Sequence, residues 1–247
     1  MGKFTKWLGA GIGFSMGGPI GAILGFALGN MIDVFSKSDI QVDQQNKRYS
    51  DHAGKSGDFE IALLILSSIV IKSDGKIDQR ELDYVRAYFV KMYGKERANK
   101  AFRLFKEIVK AKEVSTKQVC MQIRSYIDHS SRLQLLHYLF GIANADGQIH
   151  PKEMISLQKI ANYLYINIRD FESIKSMFVD SADQAYKILE ISKSASDAEL
   201  KAAYRKMVKK YHPDKLASMG EEHKKGAQDK FIKVQQAYEL ISKERGL

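Results

Sequence analysis

The sequence predicts an all-α protein, and three observations carry that prediction. Only three prolines interrupt 247 residues rich in Leu, Ile, Lys, Glu and Ala. No run of alternating β-branched residues reaches strand length, and long segments place their apolar residues at helical spacing. The expected architecture is an N-terminal transmembrane helix (1–33), a linker (34–57), a helical bundle (58–180) and a C-terminal domain built on a helical hairpin (183–247). An apolar content of 45% with 28% charged residues is ordinary globular material, and the length suits two small domains better than one core. The single cysteine, Cys120, excludes a disulfide framework and any Cys-only zinc site, and reads as a small buried hydrophobe. A net charge of +10 and a pI near 9.4 call for an acidic partner: nucleic acid, anionic lipid or an acidic protein surface.

The first element is the uncharged stretch "WLGAGIGFSMGGPIGAILGFALGNMI" between Lys6 and Asp33. At roughly 1.5 Å per residue it is long enough to cross a hydrocarbon core of about 30 Å, so a bilayer is an expected partner. Glycines at 9, 13, 17, 21, 25 and 29 recur every fourth residue, and Gly13, Gly17, Gly21 and Gly25 form a stripe that lets a second helix approach closely. Self-association into a homodimer is expected; a monomeric anchor whose glycines are mere composition is the alternative. Gly17, Gly18 and Pro19 weaken a helix in water but are tolerated in a membrane. A signal peptide with Lys3 and Lys6 as its basic region is a rival reading, against which the apolar segment is too long. Lys37, Lys47 and Arg48 follow the span, which favours the cytoplasmic side for the C-terminal bulk. The linker, rich in Gln, Asp, Ser and Lys, reads as a tether.

Between Asp58 and Asp180 the chain repeats itself. "SDGKIDQREL" at 73–82 aligns with "ADGQIHPKEM" at 145–154, both holding D-G-x-I-x-x-x-E after an apolar segment. Each copy reads as helix, tight turn, helix. Gly75 and Gly147 supply left-handed backbone, Ile77 and Ile149 are expected in the core, and Glu81 and Glu153 cap the helices they begin. Pro151 takes a first helical position. "KERANKAFRLFKEIVK" and "TKQVCMQIRSYID" add two helices, and "DFESIKSMF" closes the bundle. The repeat also fits positions five to twelve of an EF-hand loop, but Val70 and Ile142 stand where its leading carboxylate belongs and Lys72 takes a third position. Helix punctuation, with no metal, is therefore the expected role. The paired Asp-Gly turns resemble those of the TerB-like helical domain, over roughly half the chain.

In the last domain "DQAYKILEI" makes a short helix with Tyr186 and Leu189 as core candidates. "SDAELKAAYRKMVKKYH" opens on Ser196 and Glu199 at capping-box spacing and puts Leu200, Ala203, Tyr204, Met207, Val208 and Tyr211 on one half of a helix. Lys201, Arg205, Lys206, Lys209 and Lys210 take the other half, toward solvent. A second amphipathic helix, Glu221 to Ser242, aligns Ala227, Phe231, Val234, Tyr238 and Ile241. The two pack as an antiparallel hairpin with His212, Pro213 and Asp214 in the connection. D-x-Y-x-x-L, Y-R-K-x-x-x-x-Y-H-P-D-K and Q-Q-A-Y-E-L-I, in that order, resemble the J domain of DnaJ-type co-chaperones.

The three parts together resemble membrane-anchored DnaJ-like co-chaperones of the bacterial inner membrane, with the folded domains in the cytoplasm. The resemblance implies that His212, Pro213 and Asp214 are recognised by a DnaK-type Hsp70 whose ATPase they stimulate, while Lys201, Arg205, Lys206, Lys209 and Lys210 steer the turn onto an acidic chaperone surface. It implies no cofactor. An enzyme using His212 as base and Asp214 as its orienter lacks a nucleophile, a cofactor loop and an oxyanion site, so no catalytic residue is assigned. A membrane-tethered stress or metal-response protein acting through the TerB-like bundle is the alternative function. Nucleic acid is not expected, because the basic helix carries no interleaved exposed aromatics and no groove-reading motif. No Gly/Phe-rich segment or cysteine-rich zinc module is seen, so broad binding of unfolded clients is not expected.

Overall fold

The computed structural model describes residues 18–25, 52–110, 115–179, 183–215 and 221–247, with side chains omitted at 52–58 and 221–227. Among these residues every regular element is a helix. From residue 52 onward they are, in chain order, α1 (His52–Ile71), α2 (Gln79–Lys110), α3 (Thr116–Tyr126), α4 (His129–Ala143), α5 (Pro151–Tyr163), α6 (Ile168–Lys175), α7 (Gln184–Ile188), α8 (Asp197–Tyr211) and α9 (Glu221–Arg245).

The bundle α1–α6 is organised on α1 and α4. From Leu133 to Ala143 every residue of α4 is buried, the pattern of a helix covered on all sides. α1 packs against α2, α3, α4 and α5, and α4 against α2, α5 and α6 as well. Phe59, Phe89, Phe105, Tyr138 and Phe140 are almost fully buried between them, each such side chain stabilising the fold by roughly 1.5–3 kcal/mol. Some of the polar atoms brought inside find partners: the Ser67 and Tyr138 hydroxyls lie 2.9 Å apart, and Gln134 Nε2 donates to Tyr88 Oη at 3.0 Å, while Gln134 Oε1 has no hydrogen-bond partner among the described residues. Cys120 is buried as expected, which pushes its thiol up to about 12. α2 is two helices joined at Gly94, whose backbone is not helical (φ 78°, ψ 167°), so the segment beginning "KERANK" is a helix in its own right, as expected.

Both Asp-Gly turns form as the repeat predicts. Gly75 and Gly147 have φ of 87° and 92°. Glu81 Oε2 accepts from the Asp78 N–H at 3.2 Å, and Glu153 Oε2 from the His150 N–H at 2.8 Å, with Pro151 opening α5. Ile77 does not enter the core. It is 53% exposed, because it borders a polar cavity formed where the two turns meet; Ile149 is half-buried against the core.

Of the uncharged N-terminal stretch, residues 18–25 are described. Gly18 turns left-handed (φ 60°) directly before Pro19, a backbone that glycine adopts at no steric cost, and the helical segment begins there. Ile20 and Ile23 are buried, and the Ile20 N–H donates to Gln122 Oε1 of α3 at 3.1 Å. Gly21 and Gly25 lie in this segment; Gly13, Gly17 and most of the expected span and of the linker lie outside the described residues. Among those described, no helix is long and apolar enough to cross a membrane.

The C-terminal domain is the predicted hairpin. α9 packs on α7 and α8, burying Tyr186, Leu189, Leu200, Met207, Tyr211, Val234, Ala237 and Ile241. Tyr204 and Tyr238 stack across it at 4.2 Å between centroids. α9 also lies against α2 and α4, so the hairpin is seated on the bundle.

Candidate functional site

The hairpin's connection carries the site. Ser196 and Glu199 close the predicted capping box at the start of α8, the Ser196 N–H donating to Glu199 Oε2 at 2.7 Å. At the far end His212 is the extended C-cap residue, and Pro213 begins a single 3-10 turn in which the Lys215 N–H donates to the His212 carbonyl at 3.0 Å. The Asp214 N–H donates to His212 Nδ1 at 3.2 Å, and the imidazole meets the Phe231 ring edge-on at 6.0 Å. Pro213 fixes the backbone, and these contacts orient the imidazole. The side chains of His212 and Asp214 remain 46% and 74% exposed. The turn is thus stiff and open, which suits recognition.

The rest of the hairpin braces it. Arg245, near the end of α9, donates from Nη1 to the Ala195 carbonyl at 2.6 Å and to Asp197 Oδ1 at 3.1 Å, and from Nη2 to the Lys193 carbonyl at 3.1 Å. Its role was not visible in sequence, since it depends on a loop 50 residues away. Lys230 was also missed, though it falls in register with Val234, Ala237 and Ile241. It is buried, its ammonium 5.3 Å from the Tyr211 ring centroid, and burial, helped by the Lys210 charge, brings its pKa down to about 7.

Of the five expected basic residues, Lys201, Arg205, Lys206 and Lys209 are exposed on α8. Lys210 is a correction. Its ammonium contacts Asp170 Oδ1 on α6 and Glu190 Oε1 after α7, and its side chain is only 16% exposed. Helical phase puts Lys210 on the outer half of an isolated α8, but the bundle covers that side. Asp170 is buried and also accepts from Asn167 Nδ2 at 3.1 Å, with His129 Nε2 2.9 Å away. Glu190 holds a left-handed backbone (φ 58°) and pairs with Lys206 at 3.1 Å as well. Ser173 Oγ of α6 donates to the Ile188 carbonyl at 2.8 Å, and Lys91 pairs with Asp229 at 2.9 Å, which completes the joint between bundle and hairpin.

The second polar site is the cavity of about 290 Å³ between the Asp-Gly turns. Glu81 and Glu153, the two capping carboxyls, meet there, both buried. Burial pushes Glu81 up to about 8, reinforced by the Glu153 carboxylate beside it; Glu153 is also raised, chiefly by burial. Arg80 sits at the rim, 2.7 Å from Asp78 and 3.7 Å from Asp146. Among the described residues no group of three His, Cys, Asp or Glu is placed to hold a metal ion. Because the folded pKa of Glu81 lies above the ordinary glutamate value, its contribution is full at pH below that value and is lost as pH rises toward 8. Glu81→Gln, which keeps the capping acceptor and removes the charge, is expected to raise the thermal midpoint at pH 8.5 and to have little effect at pH 4, measured by circular dichroism. An equal effect at both pH values would exclude a raised Glu81 carboxyl.

An antiparallel helical hairpin that presents an exposed, proline-fixed His-Pro-Asp turn beside a basic helix defines a J-domain co-chaperone. The comparisons agree: residues 184–246 match the DnaJ domain, 60–176 the tellurite resistance protein TerB, and 1–49 the co-chaperone DjlA transmembrane domain. The co-chaperone protein DjlA of Vibrio cholerae is 30% identical over 287 aligned positions spanning 99% of both chains, and that of Photobacterium profundum 29% over 98% of each. The chaperone protein DnaJ of Fusobacterium nucleatum is 47% identical over 57 residues, 23% of this chain and 14% of its own. No solved structure matches. The chain belongs to the DjlA co-chaperone family, and its N-terminal residues carry that family's membrane anchor.

Proposed function

We propose that this chain recruits a DnaK-type Hsp70 to the cytoplasmic face of the bacterial inner membrane and stimulates its ATP hydrolysis, performing no chemistry of its own. The observation that carries the reading is the stiff, open turn at His212–Asp214 beside the exposed cations Lys201, Arg205, Lys206 and Lys209. Asp214 offers a carboxylate to a cationic group of the chaperone, and the lysines contribute orientation and association rate more than affinity. Reversing Lys201, Arg205 and Lys209 to Glu in the membrane-inserted chain is expected to slow association with Hsp70 at least tenfold at low salt and to flatten its salt dependence. Stopped-flow association rates equal to the parent's at low salt would dismiss the steering role.

The anchor is proposed to pair two copies through Gly13, Gly17, Gly21 and Gly25, since small residues at four-residue spacing allow close helix approach. Gly17, Gly21 and Gly25 changed together to Leu should lower crosslinked dimer yield in native membranes while the chain stays membrane-bound. An unchanged yield rejects the stripe as an interface.

A further inference from the structure

We infer that the Hsp70-docking face is composite: the TerB-like bundle contributes Arg169, across an interdomain cleft, to the same acidic surface of the chaperone that α8 meets. This rests on the Hsp70-recruiting reading above. The cleft encloses about 690 Å³ between α6 and the basic side of α8. Lys209 and Lys215 line both this cleft and the depression beside His212 and Asp214, so the two openings form one continuous surface.

The charges in the cleft do not balance. Five cationic side chains, Arg169 and Lys206, Lys209, Lys210 and Lys215, face two carboxylates, Asp170 and Glu190. Both carboxylates are turned inward onto Lys210, and Glu190 onto Lys206 too. The excess is therefore positive and lies toward solvent on Arg169, Lys209 and Lys215, all exposed. A cleft with one sign of charge focuses its field and favours a partner of the opposite sign.

Lys210 explains how the bundle comes to take part. Its contacts with Asp170 and Glu190 withdraw one cation from the face expected of α8, and they tie that helix to α6. Arg169 precedes Asp170 directly, so the tie that removes Lys210 brings an exposed guanidinium into the same cleft. Arg169 lies outside the J-domain match, which begins at residue 184, so an isolated hairpin lacks it.

The test uses the full chain in nanodiscs of fixed lipid composition, a DnaK-type Hsp70, and two readouts: association rate against salt and single-turnover ATP hydrolysis. Arg169→Glu is expected to slow association about threefold to tenfold at low salt, to lose that deficit at high salt, and to reach parental hydrolysis at saturating concentration. Lys209→Glu serves as the reference within the J domain. A parental rate for Arg169→Glu while Lys209→Glu is slowed would overturn the composite face. Failure of the parent chain to stimulate hydrolysis would instead strike the Hsp70 reading itself. Asp170→Asn, which loosens the tie, is expected to slow association; faster association would also overturn the proposal, since the joint would then be a brake on docking. Arg169 is exposed, so its variant keeps the test open if Asp170→Asn fails to fold.

Discussion

His212→Gln is expected to abolish stimulation of Hsp70 ATP hydrolysis while leaving the fold of the chain almost unchanged. The separation follows from where the side chain stands. His212 lies beyond the last turn of α8, nearly half exposed, and its contacts include a hydrogen bond from the Asp214 N–H, the Asp214 carboxylate 3.6 Å from Nδ1 and an edge-on approach to Phe231. Substitutions at such positions seldom change stability by more than about 0.5 kcal/mol. The buried stripe of Leu200, Met207, Tyr211, Val234 and Ile241 that holds the hairpin is untouched. Activity is another matter, because the chaperone reads the geometry and hydrogen bonding of this turn, and glutamine reproduces neither the ring nor its placement. Single-turnover hydrolysis by a DnaK-type Hsp70, with and without the chain, is the deciding measurement, and a thermal melt is its control. A fully active variant would remove the central support for the turn's role. Hydrolysis of a substrate by the chain without any chaperone would restore the enzyme reading.

Gly141→Ala is expected to destabilise the bundle by roughly 1–3 kcal/mol, the usual range for overpacking a core. A Cβ at Gly141 would lie 2.0 Å from Tyr84 Oη and 2.4 Å from its Cζ, far inside contact distance. Alanine gains about 1 kcal/mol over glycine from helix propensity alone, so sign and size depend on whether Tyr84 can move. It is half-buried between α2 and α4, with its ring 6.2 Å from that of the fully buried Tyr138. Moving it opens the α2–α4 contact, and the clash outweighs the propensity gain. Urea unfolding of the parent, Gly141→Ala, Tyr84→Ala and the double variant measures the coupling, and the double variant should lose less than the sum of the singles. A stability for Gly141→Ala at or above the parent's would mean that α2 and α4 separate at little cost.

Much of the molecule was legible without coordinates, and the legible parts share a cause. The Asp-Gly turns, the Glu81 and Glu153 caps, the Ser196 capping box and the His-Pro-Asp turn all arise among residues within four positions of one another. Backbone sterics and local hydrogen bonds settle them wherever the segment lies. The apolar stripes of α8 and α9 were legible for a related reason: the face by which the two helices pack on one another is apolar, and periodicity names it.

What only the tertiary structure decided concerns which side of an element meets which neighbour. Periodicity assigned Lys210 to solvent, and packing against α6 put it between Asp170 and Glu190. The repeat assigned Ile77 to the core, and the meeting of the two turns left it beside a polar cavity. Nothing in the local sequence around Gly141 shows that a Cβ there would meet Tyr84 of α2. The sequence by itself determined the helices, their caps and the turn that identifies the protein, because these depend on short-range terms. The joint between bundle and hairpin, the paired carboxyls and the cleft beside Arg169 depend on groups far apart in the chain. Their energies exist only once burial has excluded water and brought those groups within a few ångströms.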